Sequence, residues 1–329
     1  MNNKYDQVVS ILPKSLSSLL MGVSEQAKEN IQEICLRIDR PIVLRAGNKN
    51  FFLNNYSKLI TNINSRLKLV LREEIEVSFK NMCNHSIYSY QDEIKNGYVT
   101  IKGGHRVGIG ATAVLTKGEV SSVRDISSLN IRLSRQVDGA AKNILDTIKD
   151  DFQGILLAGP PASGKTTILR ECAKELSLLN SKVIVIDERN EISGTYMSVA
   201  QNDLGLSDIL NGYPKDIGMI QAIRSMAPEI LICDEIGLSK DVNALEEVVH
   251  SGVRLIASVH IGSINEIFKR NQVKRLLKTQ AFDTVVMLNS NGQKNRIEGI
   301  YKVGDKIGEI RRIYGSDNIV NDDGVFSIA

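Results

Sequence analysis

The chain has 329 residues, 42% of them hydrophobic and 24% charged, with a formal net charge of +3. This is the composition of a folded globular protein long enough for two domains, and it excludes a disordered or collagen-like chain. The small charge excess, without a long basic run or basic-aromatic stripe, argues against a general nucleic-acid surface. No apolar stretch approaches the roughly 18 residues a membrane span needs, and four scattered cysteines fit neither a disulfide framework nor a zinc site.

At the N-terminus, Pro13 and Lys14 interrupt the apolar run Val8–Leu20, which makes a poor signal peptide, so the expected compartment is the cytoplasm. Helical periodicity follows near Ser24–Leu36, then strand-like segments at Pro41–Ala46 and Phe51–Leu53 and a helix near Arg66–Cys83. A glycine-rich β stretch comes next, read as short strands with tight turns at Tyr98–Ile101, Gly103–Gly108 and Gly110–Leu115. Ser134–Asp150 is a polar, helical connector. It divides an α+β N-terminal domain, residues 1–137, from a second domain, 138–329.

The second domain alternates strands and helices, the pattern of a mostly parallel sheet covered on both faces. Strands are expected at Ile155–Ala158, Lys182–Asp187, Ile230–Asp234, Leu255–His260 and Thr284–Leu288, and helices at Lys165–Leu179, Asp216–Met226, Asp241–His250 and Ile264–Lys278. Asn289–Gly292 reads as a hairpin turn into a closing strand, Ile297–Val303, and the residues after Tyr314 as a loose tail.

Between the first of these strands and the first of these helices, the chain fits the phosphate-loop pattern G-x-x-x-x-G-K-S/T at every fixed position. The residues are Gly159, Pro160, Pro161, Ala162, Ser163, Gly164, Lys165 and Thr166, with Thr167 in the first turn of the helix. Such a loop turns backbone N–H groups inward at a helix N-terminus, where orphan donors and the positive dipole end favour an anion. Lys165 would reach the β- and γ-phosphates and Thr166 would put its hydroxyl on Mg²⁺.

Hydrolysis also needs carboxylates at neighbouring strand ends. The apolar run Ile230–Cys233 ends in Asp234 and Glu235, suited to holding Mg²⁺ and to orienting the attacking water. Asp187, Glu188, Arg189, Asn190 and Glu191 form a second polar cluster on the same sheet edge, open to reading as a solvated junction or as part of a site. His260 ends Leu255–Val259 and fits either a γ-phosphate sensor or an exposed cap.

The cluster at 187–191 resembles the acidic box of type II and type IV secretion ATPases. Met226–Ile236 resembles their Walker B region and Ser258–His260 their histidine box. More closely, the chain resembles the stage III sporulation protein AA family, through Glu33–Arg37, Asn96–Gly108 and Arg124–Arg132 as well, so that the likeness spans most of residues 30 to 300.

The resemblance implies an α/β, RecA-like P-loop ATPase core behind a smaller N-terminal domain, assembled as a hexameric ring and using ATP and Mg²⁺. It further implies catalytic roles for Glu235, Glu188 and His260, and arginines that neutralise phosphate charge: Arg132 first, then Arg106 and Arg124, with Arg224 preceding Walker B. Gly237 stands where the secretion ATPases commonly carry arginine, and the order of Asp187 and Glu188 is reversed from the commoner one. The implied work is assembly of, or transport through, a membrane complex between mother cell and forespore. The protein would sit on the mother-cell cytoplasmic face, recruited by integral membrane partners, with no nucleic acid expected. The alternatives are a nucleic-acid-dependent ATPase of the same core type and a nucleotide-gated scaffold with little turnover.

Overall fold

A computed structural model describes residues 4–63, 67–134, 137–149, 152–237, 239–267, 269–289, 296–304, 310–314 and 325–326. The chain groups into two compact units. The first comprises Met1–Arg135 together with Gly194–Gln201, and the second Gln136–Ser193 with Asn202–Ala329. The excursion of Gly194–Gln201 into the N-terminal unit leaves no trace in the local sequence pattern.

The N-terminal unit opens with α1 (Lys4–Val9), α2 (Lys14–Met21) and α3 (Glu25–Asn30). Val8–Leu20, set aside above as an interrupted apolar run, thus runs from the end of α1 through a turn into α2, and Val8, Leu12, Leu16 and Leu20 all enter the core. An antiparallel sheet follows, with β1 (Glu33–Arg37), β2 (Val43–Ala46), β3 (Lys49–Leu53) and β4 (Leu59–Ile60), then α4 (Arg72–Met82), α5 (Gln91–Lys95), β5 (Tyr98–Ile101), β6 (His105–Thr116) and β7 (Glu119–Arg132). Its spatial order is β4-β3-β2-β1-β7-β6-β5.

Three expectations change here. The helix expected over Ser24–Leu36 stops at Asn30, because Glu33–Arg37 is paired on both sides, with β2 and with β7; a short apolar run has no periodicity of its own to separate helix from strand. The helix expected from Arg66 starts at Arg72. Leu67, Leu69 and Val70 make β-bridges instead, and Glu74 caps the helix by accepting the Leu71 N–H at 2.8 Å. Of the short glycine-rich strands, Tyr98–Ile101 stands as β5, whereas Gly103–Gly108 and Gly110–Leu115 merge into β6, which forms one long hairpin with β7. Gly110 does not break it: a Cβ there would fall 2.1 Å from Ser128 Oγ on the paired strand, so the glycine permits a close approach.

The C-terminal unit begins with α6 (Lys142–Ile148), β8 (Gly154–Gly159), α7 (Lys165–Leu178), β9 (Val183–Asp187), β10 (Asp208–Asn211), α8 (Lys215–Met226), β11 (Ile230–Cys233), α9 (Ser239–His250) and β12 (Arg254–His260). After α10 (Ile264–Ile267), α11 (Asn271–Lys278) and β13 (Thr284–Asn289), it closes with β14 (Arg296–Val303), β15 (Ile310–Tyr314) and β16 (Val325–Phe326). The sheet order is β10-β9-β11-β12-β8-β13-β14-β15-β16. Pairing is parallel from β10 through β13 and antiparallel beyond.

Side chains of the parallel strands alternate between two cores. Leu156, Ala158, Ile184, Ile186, Leu231 and Cys233 face one, with residues of α8, α9 and α11, while Ile155, Leu157, Val183, Val185, Ile230 and Ile232 face the other, with α6 and α7. Both faces being buried explains why the strands read as continuous apolar runs. Strand β10, which is half-exposed at the sheet edge, carried no such signal. The helix expected over Ile264–Lys278 divides because Arg270 takes an extended backbone and donates to His260 O at 2.9 Å. The hairpin turn expected after Asn289 lies outside the described residues, as does most of the expected tail, although Val325–Phe326 pairs with β15.

Candidate nucleotide-hydrolysis site

Parallel pairing brings the C-terminal ends of β9, β11, β12 and β8 side by side, at the edge where ligands of open α/β sheets bind. The phosphate loop leaves β8 there. Gly164 adopts φ +99° and Ala162 φ +61°, left-handed conformations that curl the loop before α7. Gly164 contributes no capping side chain to α7. Lys165 is buried at 5% exposure, and its ammonium donates to Gly159 O at 2.8 Å and Pro160 O at 2.9 Å and lies 3.0 Å from His260 Nδ1. Burial pulls its pKa below the usual lysine range, an effect that the charges of Asp234 and Glu235 oppose.

Asp234 and Glu235 follow β11 directly. Thr166 Oγ1 donates to Asp234 Oδ2 at 3.2 Å, and Asp234 Oδ1 accepts from Ser258 Oγ and, at 2.9 Å, from the Glu235 N–H. Ser258 Oγ also accepts from that N–H at 3.0 Å. Glu235 has φ +39°, a left-handed backbone that costs a non-glycine residue of order 1 kcal/mol and that these two bonds help to hold. Its carboxylate is gripped on both oxygens: Oε1 lies 2.5 Å from His260 Nε2, and Oε2 accepts from Arg189 Nη1 at 2.8 Å. Burial would raise the Glu235 pKa. The His260 hydrogen bond, with the charges of His260, Arg189 and Lys215, outweighs that and lowers it.

The cluster at 187–191 divides into different jobs. Asp187, 1% exposed, folds the turn: it accepts from the N–H groups of Glu191 (2.9 Å), Ile192 (3.2 Å) and Ser193 (2.7 Å), and from Ser193 Oγ (2.6 Å). Arg170 of α7 ties the same turn to the phosphate-loop helix through Ile192 O (2.8 Å) and Glu191 O (2.6 Å). Glu188 is held in an ion pair by the buried Lys215. At Gly237, the position noted above as departing from the secretion-ATPase pattern, the backbone N–H donates to the buried Asp241 (2.9 Å) and the carbonyl accepts from Gln272.

The phosphate-loop residues, Asp234, Glu235, Glu188 and His260 therefore converge, and Thr167 lies half-buried in the first turn of α7. Arg224 does not join them. It is exposed in the last turn of α8, roughly 14 Å along the axis from Lys215, the end of that helix that reaches Glu188. In the N-terminal unit, Arg132 on β7 is cross-strand from Arg106 on one side and Glu33 on the other, with its Nε 3.7 Å from Glu33 Oε1. Arg106 stacks 3.8 Å from the centroid of the Tyr98 ring, and Arg124 lies beside Asp125 at 3.7 Å. The site residues that sequence reasoning passed over are Arg189, Arg170, Lys215 and Ser258. Arg189 and Ser258 stood inside quoted motifs, but only folding shows which oxygen each one meets.

The residues fit a nucleoside triphosphate with its magnesium. Ser163 Oγ is buried in the loop without a hydrogen-bond partner, the α7 N-terminus carries no side-chain cap, and Lys165 is the one buried ammonium in the loop. Among the described residues no group of three or more His, Cys, Asp and Glu forms a metal cage. A nucleotide-borne Mg²⁺ needs only one or two protein oxygens, such as those of Thr166 and Asp234.

Stage III sporulation protein AA of Bacillus subtilis (strain 168) is 35% identical over 312 residues, covering 93% of this chain and 96% of that protein. The pilus retraction motor PilT, solved with bound ADP, superposes with a TM-score of 0.52 at 15% identity, over 80% of this chain and 76% of that one. The Yersinia pseudotuberculosis ATPase DotB gives 0.50 at 13% identity, over 80% and 72%. At such identities these two likenesses establish the fold alone. The profile of the family described as sporulation stage III, protein AA, matches residues 2–308, and the chain belongs to that family.

Proposed function

We propose that the protein is a P-loop ATPase that couples hydrolysis of ATP to mechanical work on a sporulation membrane complex. One observation carries the chemistry. The phosphate-loop lysine and the acids after β11 belong to a single polar network, from Lys165 through His260 to Glu235 and from Thr166 to Asp234. Lys165 and the α7 N-terminus bind and orient the phosphates. Thr166 and Asp234 would hold a nucleotide-borne Mg²⁺, which would supply charge compensation for the phosphates. Glu235 orients the attacking water and accepts its proton, and His260 links that carboxylate to Lys165, the residue that would meet the phosphates. Arg132 is the proposed arginine contribution from the N-terminal unit.

Family membership and the likeness to a motor's fold support the wider reading. It comprises a hexameric ring on the mother-cell cytoplasmic face, held by integral membrane partners. Among the described residues no helix is long and apolar enough to cross a membrane, so attachment through partners is the route proposed. The test is phosphate release by wild type, Lys165→Ala and Glu235→Gln, with mass measurement in solution with and without ATP and Mg²⁺. Lys165→Ala should lose nucleotide binding, whereas Glu235→Gln should bind and fail to turn over. Steep, salt-dependent stimulation by DNA would replace the secretion reading with a nucleic-acid one.

A further inference from the structure

Strands β9 and β11 are parallel neighbours, with Ile186 registered against Cys233, so the turn after β9 and Glu235 after β11 leave the sheet side by side. Arg189 sits in that turn. Its backbone is fixed from two directions, by the Asp187 carboxylate that gathers the N–H groups of 191, 192 and 193 and by Arg170, which holds the carbonyls of 191 and 192. From this fixed base the guanidinium crosses to Glu235 Oε2 at 2.8 Å, while His260 takes Oε1 from the other side. A glutamate held on one oxygen can still rotate its carboxylate plane; one held on both cannot. His260 is shared with Lys165 and so answers to the phosphate loop. Arg189 comes from the 187–193 turn instead and adds a second grip on the same carboxylate.

We infer that Arg189 is a positioning residue for hydrolysis, fixing the orientation of the Glu235 carboxylate from the 187–193 turn without itself touching the nucleotide. The inference rests on the ATPase reading above. An arginine that only braced the turn would alter folding or nucleotide affinity. One that orients the carboxylate alters turnover alone, and only while that carboxylate can take a proton.

The experiment is a double-mutant cycle on the full chain, with ATP affinity and steady-state phosphate release measured for wild type, Arg189→Ala, Arg189→Lys, Glu235→Gln and Arg189→Ala/Glu235→Gln. Expected is a fall in kcat of about 10- to 100-fold for Arg189→Ala, the size of a misoriented catalytic group, with KM and nucleotide affinity within about twofold. Arg189→Lys should recover part of the loss, and the double variant should be no slower than Glu235→Gln. A rise in kcat on Arg189→Ala would overturn the inference by making the pair an inhibitory latch. Losses that multiply in the double variant would overturn it by showing that Arg189 acts apart from Glu235. Wild-type turnover in Arg189→Ala would sink this inference while leaving the ATPase intact, whereas wild type no faster than Glu235→Gln would overturn both.

Discussion

The charged residues of the C-terminal unit close on one another, whereas the arginines of the N-terminal unit lie along a sheet surface. Around the phosphate loop, Lys165, Asp187 and Lys215 are nearly inaccessible and each has defined partners. Arg132 and Arg124 are each 69% exposed and meet an acid only at 3.7 Å. Ion pairs so exposed contribute about 0–1 kcal/mol. The difference separates residues already committed by the fold from residues left free to meet something else. Buried and mutually bonded groups are costly to remove, and exposed arginines can be removed without harm to the fold.

The sharpest test of that contrast is Glu235→Gln in the C-terminal unit. Loss of the carboxylate proposed to position water should lower kcat by about 10²–10⁴-fold, measured as phosphate release, with nucleotide still bound. The next largest effect belongs to the core of the N-terminal unit, where His105 is fully buried. Its Nδ1 accepts the Ser134 N–H at 3.1 Å, and its Nε2 is buried without a hydrogen-bond partner. Burial, helped by the charge of Lys4, pushes its pKa down to about 3. The unfolded chain takes up a proton near pH 6.5 that the folded unit refuses until about pH 3, so stability is full above pH 6.5 and drains away as pH falls through that window. The loss should approach about 5 kcal/mol at the acid end, read from urea unfolding at stepped pH, and a flat profile between pH 7 and 4 would refute it.

Asp187→Ala should cost about 3 kcal/mol of stability, because three backbone N–H groups and a hydroxyl would lose their acceptor in a buried turn. Denaturant midpoints would report it. Arg132→Ala should be the gentlest change. Its stability should stay within about 0.5 kcal/mol of wild type, with ATP affinity nearly intact and hydrolysis slowed by about tenfold or more. Unchanged turnover would return Arg132 to an ordinary surface role, and a large loss of stability would break the contrast between the units.

The site was more legible in the chain than the N-terminal fold was. Residues 159–166 announced themselves because a phosphate loop is one continuous segment, and Asp234, Glu235 and His260 because each directly ends an apolar strand. In the N-terminal unit the apolar runs are short, so Glu33–Arg37 passed for the end of a helix and the hairpin of β6 and β7 was divided at its glycines. Those strands exist because of partners that lie far off in sequence, such as Cys35 with Asn130 and Gly110 with Ser128.

By itself, then, the sequence marked out the candidate phosphate loop, the apolar core strands along the chain and the acids at their ends, since these depend on local backbone chemistry and on burial patterns within single segments. Only tertiary structure decided that Asp187 folds a turn while Arg189 reaches Glu235, that Lys215 holds Glu188, and that Gly194–Gln201 belongs with the N-terminal unit. The reach of Arg189 to Glu235 depends on which strand ends lie side by side, and that is set by the register of β9 against β11, segments far apart along the chain.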